Sequence, residues 1–99
     1  MKFTVDRKTW LRGEKTNSYL LRPVDGKKCC VGFFALAEKK FTKTHLKGKF
    51  DYGDISKVDR DPFAGIYCIN DDPGITDKKR ERLLKKKFAE LGHEVEFIN

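Results

Sequence analysis

The stretch TDKKRERLLKKKFAELGHEVEF, residues 76–97, predicts a helix followed by a strand. Thr76 or Asp77 is suited to cap the helix, and Asp77 also suits the positive end of the helix dipole. An apolar stripe at helical spacing follows: Leu83, Leu84, Phe88 and Leu91. Gly92 ends the helix, and Val95 and Phe97 then alternate with glutamates, as in a half-buried strand.

The N-terminus predicts the partner of this strand. Residues 2–5 alternate polar and apolar side chains, so a short strand is expected there. We expect the two terminal strands to pair in a small sheet with helices on one face. The sequence therefore predicts the α+β class, with a single domain over residues 1–99 and about three helices packed on the sheet.

Two further helices are expected between the strands. Asp6 is placed to cap a brief helix through Leu11, and residues 27–41 predict a buried helix because their centre is apolar on every side. A buried strand is the alternative for residues 27–41, because short apolar runs are ambiguous. Residues 14–18 and 41–61 are expected to be loops. Residues 63–69 are either extended or one short helix.

Charge is distributed unevenly along the chain, whose net charge is +7. Residues 78–87 hold seven bases and one acid, whereas residues 50–77 hold seven acids and two bases. Such a polarised chain favours an anionic partner through long-range attraction. The alternative is that the acidic middle lies against a basic stretch and neutralises part of it.

The C-terminal helix supplies the candidate binding residues. At 100° per residue, four bases fall opposite its apolar stripe: Lys78, Arg82, Lys85 and Lys86. Further bases are expected to assist them: Lys39, Lys40 and Lys43. Clustered bases of this kind contact phosphates or acidic protein surfaces, and the alternative is an ordinary solvated face. No sequence signature of base recognition accompanies them.

Trp10 and Arg12 form a second candidate contact. A tryptophan beside an arginine is typical of a cation–π surface or an interface hot spot. The alternative is that Trp10 covers the core while Arg12 is solvated.

Arg80 falls inside the apolar sector of the C-terminal helix, so we assign it a structural role. A base in that position needs a carboxylate partner or must extend to solvent. We expect Arg80 to reach back to Asp71 or Asp72 in the preceding turn. These two aspartates, like the pair Asp59 and Asp61, are otherwise interpreted as turn-forming residues rather than a metal site.

The cysteines do not predict a metal site, a cofactor or a catalytic centre. Cys29 and Cys30 are adjacent and Cys68 stands apart, which lacks the short spacings of zinc ligands. An odd count of thiols and a polar N-terminus favour a reducing compartment, the cytoplasm, with no secretory leader. No apolar run is long enough to span a membrane. The alternative is a small thiol or metal enzyme, in which Cys30 or Cys68 works with His45 or His93.

A structural or oligomeric component is the third hypothesis. It rests on an aromatic patch expected to be exposed in the middle of the chain, and oligomeric state is otherwise open. The patch consists of Phe41, Phe50, Tyr52 and Phe63.

Several short motifs give the chain a family resemblance. They are Trp10-Leu11-Arg12-Gly13, the Cys-Cys-x-Gly-Phe segment at 29–33, and Ile69-Asn70-Asp71-Asp72. With them the chain resembles a family of short uncharacterised phage- and prophage-encoded proteins, except over residues 42–65. The resemblance carries no catalytic residues. It implies the cytoplasm of a host cell and an accessory role in infection, such as modulating a host or defence factor.

The sequence thus predicts a small basic protein that binds and does not catalyse. The expected partner is an acidic host protein, specifically a host or defence factor that handles nucleic acid. Direct binding to nucleic acid is the first alternative.

Overall fold

A computed structural model describes residues 1–14, 18–57 and 60–99, and Asp59 and part of the two predicted loops lie outside them. The chain belongs to the α+β class, as predicted. Its elements are strand β1 (Lys2–Asp6), helices α1 (Cys30–Ala37), α2 (Lys43–Leu46), α3 (Tyr52–Ser56), α4 (Ala64–Asp71) and α5 (Asp77–Glu90), and strand β2 (Glu94–Ile98). None of the described helices is long and apolar enough to cross a membrane.

The two terminal strands form a two-stranded parallel sheet. Phe3 lies opposite Val95 and Val5 opposite Phe97, so the apolar side chains of both strands share the inner face. The outer face is polar, and there Lys2 approaches Glu96 at 3.8 Å. The alternation seen in the sequence therefore separates a core face from a solvent face.

Aromatic rings join the sheet to the helices beneath it. The ring of Phe3 lies 5.4 Å from Phe34 of α1 and 5.0 Å from Phe88 of α5, both edge to face. Phe63, just before α4, contacts Phe34 at 5.0 Å between ring centroids. These rings form one core on the inner face of the sheet, because α1 packs on β1 and α5 packs on β2.

Helix α1 is buried as predicted, but it spans 30–37 rather than 27–41. Its start is set by Lys28, which is paired with Trp10 in an isolated bridge and is therefore extended. Its end is set by Lys39, whose backbone is left-handed at φ 61°. Gly32 lets α1 lie close to the chain at Leu20, because a Cβ there would collide with the Leu20 carbonyl oxygen.

The predicted helix from Asp6 to Leu11 is wrong. Residues 7–9 form a turn, and the chain then runs extended beside Lys28. The Leu11 N–H donates to the Lys28 carbonyl oxygen at 2.8 Å, and the Lys28 N–H donates to Thr9 at 3.0 Å. Tertiary pairing thus outweighs the local capping signal of Asp6.

The structure has five helices among its described residues, more than the three predicted. Two of them, α2 and α3, lie in the region expected to be a loop. Thr42 begins α2 through a reciprocal cap with His45. Asp61 and Tyr67 hold the start of α3: the Gly53 N–H donates to the Asp61 carboxylate at 3.1 Å, and the Tyr52 N–H donates to the Tyr67 hydroxyl at 2.7 Å. Helix α4 resolves the ambiguity over residues 63–69 in favour of a short helix.

Helix α5 matches its prediction closely. The Thr76 hydroxyl accepts a hydrogen bond from the Lys79 N–H at 3.2 Å, and Gly92 follows the helix with a left-handed φ of 83°. Leu84 and Phe88 are buried, but Leu91 is exposed. Arg80 occupies the buried position one turn before Leu84.

Asn70, at the end of α4, connects three segments of the chain. Its side-chain oxygen accepts hydrogen bonds from Trp10 Nε1 at 2.8 Å and from the Cys30 N–H at 3.2 Å. Its side-chain nitrogen donates to the Leu11 carbonyl oxygen at 2.9 Å. Asn70 is fully buried, so each of these groups depends on it for its hydrogen bond.

Replacing Asn70 with Leu is expected to lower the free energy of unfolding by about 3 kcal/mol or more. The substitution leaves two donors and one acceptor buried without partners, at about 1–3 kcal/mol each. Urea denaturation measures the change. The control is Asn99→Ala, which removes only an exposed contact with Asp6 and should change stability by less than about 0.5 kcal/mol. Equal effects of the two substitutions would contradict the role assigned to Asn70.

Candidate functional site

A sector of α5 about 120° wide, opposite its buried stripe, carries five bases and no acid. Measured as about 100° per residue from the buried Leu84, Lys85 falls near 100° and Lys79 near 220°. We call the bases in this sector the basic face: Lys78, Lys79, Arg82, Lys85 and Lys86. All five are exposed. Two acids of the helix border this sector, with Glu81 near 60° and Glu90 near 240°.

The acids of α5 are paired away from the basic face. Arg7 donates to both carboxylate oxygens of Glu81, at 2.8 and 2.7 Å. Arg12 donates to the Asp77 carboxylate at 3.0 Å, and Glu90 lies 3.7 Å from Lys87. In the part of the chain that the structure describes, no carboxylate lies within ion-pair distance of the basic face.

Lys79 belongs to the basic face but was not among the residues predicted from the sequence. It lies next to Lys86 in angle, about 20° away. The omission follows from the predicted stripe, which included Leu83 and Leu91 and was centred about 20° away from Leu84, so that Lys79 fell just outside the basic sector. The buried stripe actually runs through Arg80, Leu84 and Phe88, which turns Lys79 to solvent.

The lysines expected to assist α5 lie on other elements. Lys39 and Lys40 are exposed in the turn after α1. Lys43 lies in α2 and lines a different cleft together with Arg22 and Lys47. The described contacts place none of the three against α5, so the basic face is formed by one helix.

Trp10 is a core residue, and its prediction as a partner-binding residue is wrong. Its side chain is 2% exposed and packs on Phe97, with 4.9 Å between ring centroids. Arg12 lies over the Trp10 ring at 4.5 Å and also donates to Asp77 and to the carbonyl oxygens of Arg7 and Trp10. The cation–π pair exists, but it fastens the N-terminal segment to the start of α5.

Arg80 is buried, 2% exposed, and reaches the expected turn through different atoms. Its guanidinium donates to carbonyl oxygens at the end of α4 and just after it: those of Ile69, Asn70, Asp72 and Ile75. Its carboxylate partner is Asp77 at 3.3 Å, so the predicted pairing with the Asp71 or Asp72 carboxylate is wrong. A cation at this place satisfies carbonyls that a helix end leaves without partners.

Asp71 and Asp72 instead bind two other segments, one distant and one local in sequence. The Asp71 carboxylate accepts hydrogen bonds from the N–H and the hydroxyl of Ser18. The Asp72 carboxylate accepts from the Gly74 N–H at 2.8 Å, which closes the turn before α5. Asp72 is therefore a turn-forming residue, whereas Asp71 holds the chain at Ser18.

Two of the three thiols are buried in the core. Burial raises the pKa of Cys29 to about 12 and raises the pKa of Cys30 as well, so neither forms a thiolate readily. Cys68 is exposed on α4. The described residues hold no cluster of three or more side chains suited to a metal.

The histidines suggested as catalytic partners are engaged elsewhere. His45 caps α2 through Thr42. His93 lies 3.3 Å from the N-terminal amine and stacks beside Phe34. Burial and the N-terminal amine lower the pKa of His93, while Glu38 acts in the opposite direction.

The aromatic patch expected to drive self-association is largely internal. Tyr52 and Phe63 are buried and contact each other edge to face at 5.0 Å. Phe41 packs on Tyr52. Phe50 is partly exposed and packs against Tyr19. The residues therefore do not form a common exposed surface.

Comparison with protein families, with curated proteins and with solved structures gives no match. The resemblance to phage- and prophage-encoded proteins therefore stays a prediction. A functional assignment therefore rests on the residues themselves, and the basic face is the most distinctive surface that they form.

Thiol reactivity should separate the exposed cysteine from the buried ones. In the native protein, we expect Ellman's reagent to modify Cys68 rapidly and to modify Cys29 and Cys30 only when the chain opens. In denaturant, all three thiols should react. Absorbance of the released thiolate follows the reaction. Rapid modification of Cys29 or Cys30 in the folded protein would contradict their burial.

The raised pKa of Cys29 also predicts a loss of stability in alkali. The folded state holds this proton more tightly than the unfolded state does. The resulting stabilisation is complete below pH 9 and is lost as pH rises towards about 12. Unfolding measured across this window should show a shallower decline in Cys29→Ala. A decline as steep as that of the unmodified protein would exclude this contribution.

Proposed function

We propose that this protein is a non-catalytic binding module that docks the basic face of α5 against an acidic patch on a partner protein. The observation that carries the proposal is the set of five exposed cations on one helix face, unpaired among the described residues. Charge complementarity of this kind speeds association and makes binding sensitive to salt.

The size of the basic face favours a protein over a nucleic acid. From Lys78 to Lys86 the helix rises about 12 Å. Glu90 lies beside the basic face on one flank of the helix. Glu94 and Glu96 of β2 lie beyond Lys85 on the other flank. A nucleic acid that continued past the helix would meet these carboxylates, whereas a compact acidic patch would not. Direct nucleic-acid binding is therefore the alternative outcome.

The basic face is held rigidly, which suits it to docking. Leu84 and Phe88 anchor the opposite side of α5 in the core. Arg80 fixes its first turn to the end of α4, and Arg7 clamps Glu81 with two hydrogen bonds. A preformed surface loses little conformational freedom on binding, so more of the interaction energy appears as affinity.

Binding without catalysis is also consistent with the chemistry of the side chains. The buried thiols have raised pKa values, which is opposite to the activation of a nucleophile. In the setting that the phage resemblance implies, a module of this kind acts by occupying a surface. A host or defence factor that handles nucleic acid is inhibited in this way without any chemical step.

Charge reversal on α5 should abolish partner capture. The variant replaces Lys78, Arg82, Lys85 and Lys86 with Glu, and capture from a bacterial lysate is compared with and without nuclease. The unmodified chain should retain its protein partners after nuclease treatment. We expect the charge-reversal variant to lose them. Partners lost on nuclease treatment alone would instead indicate nucleic acid.

The matched control reverses three lysines and one arginine that are exposed elsewhere: Lys8, Lys47, Lys49 and Arg60. Both variants undergo the same change in net charge, and circular dichroism verifies that both fold. The control should retain the partner. Equal loss from both variants would mean that net charge alone matters, and equal retention would exclude the basic face.

A further inference from the structure

The outer edge of β2 carries backbone groups that no described strand pairs, and the two residues that bear them, Val95 and Phe97, are 4% and 8% exposed. The Glu94 N–H donates to the Met1 carbonyl oxygen at 2.9 Å, so Glu94 faces β1. Backbone direction alternates along a parallel strand, so the N–H and C=O groups of Val95 and Phe97 point away from β1. No described residue supplies a hydrogen-bond partner to these four groups. An edge of this kind is a template for strand addition.

A cleft of about 350 Å³ lies along the first part of this edge, at residues 94–96. Lys85 and Ala89 of α5 line one side, and Val95 lines it from β2. Glu94, Glu96 and Lys2 line the side that belongs to the outer face of the sheet, where Lys2 lies 3.8 Å from Glu96, and His93 also lines the cleft. An extended peptide added to β2 would therefore lie beside α5, with its alternate side chains directed to opposite sides.

The two sides of the cleft differ in charge. On the α5 side, Lys78, Arg82 and Lys85 follow the same flank of the helix as Ala89, within about 60° of one another. On the outer side, the two carboxylates of Glu94 and Glu96 exceed the single cation of Lys2, so that side carries a net negative charge. A strand is complementary to both sides when its acids point towards α5 and its other side chains are neutral or basic.

We propose that the edge of β2 receives an extended segment of the partner protein that carries acidic side chains at alternate positions. This inference rests on the proposed function and specifies how the basic face recognises its partner. Backbone hydrogen bonds to Val95 and Phe97 hold the segment, and the basic face selects its acids. Self-pairing is disfavoured, because two antiparallel β2 strands centred on Glu96 would place Glu96 opposite its own copy.

Two octapeptides of identical composition test the proposal. One alternates Glu and Thr, and the other places them in pairs, Glu-Glu-Thr-Thr, so that both its faces carry acids. Affinity is measured by calorimetry at low salt with the full chain. The alternating peptide should bind at least about tenfold more tightly. Equal affinities, or binding of neither peptide, would overturn strand addition.

Backbone methylation tests the hydrogen bonds directly. Methylating every second amide nitrogen of the alternating peptide removes the N–H groups of either the Glu set or the Thr set. In an added strand only one set faces β2, so one methylated peptide should lose binding and the other should keep it. Equal behaviour of both would contradict strand addition.

A variant of the protein locates the site. Ala89→Glu places an acid in the cleft and should weaken the alternating peptide about tenfold. Ala64→Glu, at an exposed position of α4, is the control and should not. Equal effects would overturn the placement. If the α5 charge reversal abolishes partner capture while both octapeptides bind alike, the proposed function stands and strand addition fails.

Discussion

The structure depends on the hydrogen bonds that converge on the end of α4. There the Asn70 side chain forms hydrogen bonds with the Trp10 indole, the Leu11 carbonyl and the first turn of α1. The backbone carbonyl of Asn70 accepts a further hydrogen bond from the Gly13 N–H at 2.9 Å. The Arg80 guanidinium donates hydrogen bonds to four carbonyl oxygens at the end of α4 and just after it. Gly13 is required beside it: a Cβ at that position would lie 2.9 Å from an Arg80 nitrogen, and its φ is 65°. The described sheet has only two strands, so these side chains supply backbone partners that a larger sheet would otherwise provide.

The same set of contacts orients the candidate site. Arg80 fixes the first turn of α5, and Leu84 and Phe88 continue the same buried stripe. Once that stripe is fixed, the bases at 78, 79, 82, 85 and 86 have no neighbouring element to cover them among the described residues. A buried arginine therefore determines which way the exposed cations point. Its own charge is neutralised by Asp77 and by helix-end carbonyls rather than by solvent.

Electrostatics separates the molecule into distinct surfaces. The acids of α5 are used at its edges, where Asp77 and Glu81 hold the N-terminal segment through Arg12 and Arg7. The outer face of the sheet presents glutamates, and the free edge of β2 lies between them and the basic face. A two-stranded sheet leaves such an edge because it has no third strand, and in this protein the edge adjoins the basic face at Lys85. The backbone groups proposed to pair with an added strand and the cations proposed to select its acids thus lie side by side.

The sequence by itself determined the elements that carry strong periodic signals, which are the terminal strands and the capped α5. It favoured a helix for the apolar run that contains α1, but a buried strand remained the alternative because the run has no polar face. It also determined that α5 carries an exposed basic side, because helical geometry fixes relative angles without any tertiary information. Only the tertiary structure decided that Trp10 is internal, that residues 6–11 are not helical and that residues 41–61 contain short helices. Those outcomes depend on pairing between distant segments, such as Trp10 with Lys28 and Tyr52 with Tyr67, whose energies exceed local preference. The atoms that Arg80 contacts and the unpaired edge of β2 were likewise decided by the tertiary structure. Both depend on burial and strand order, which are properties of the assembled chain.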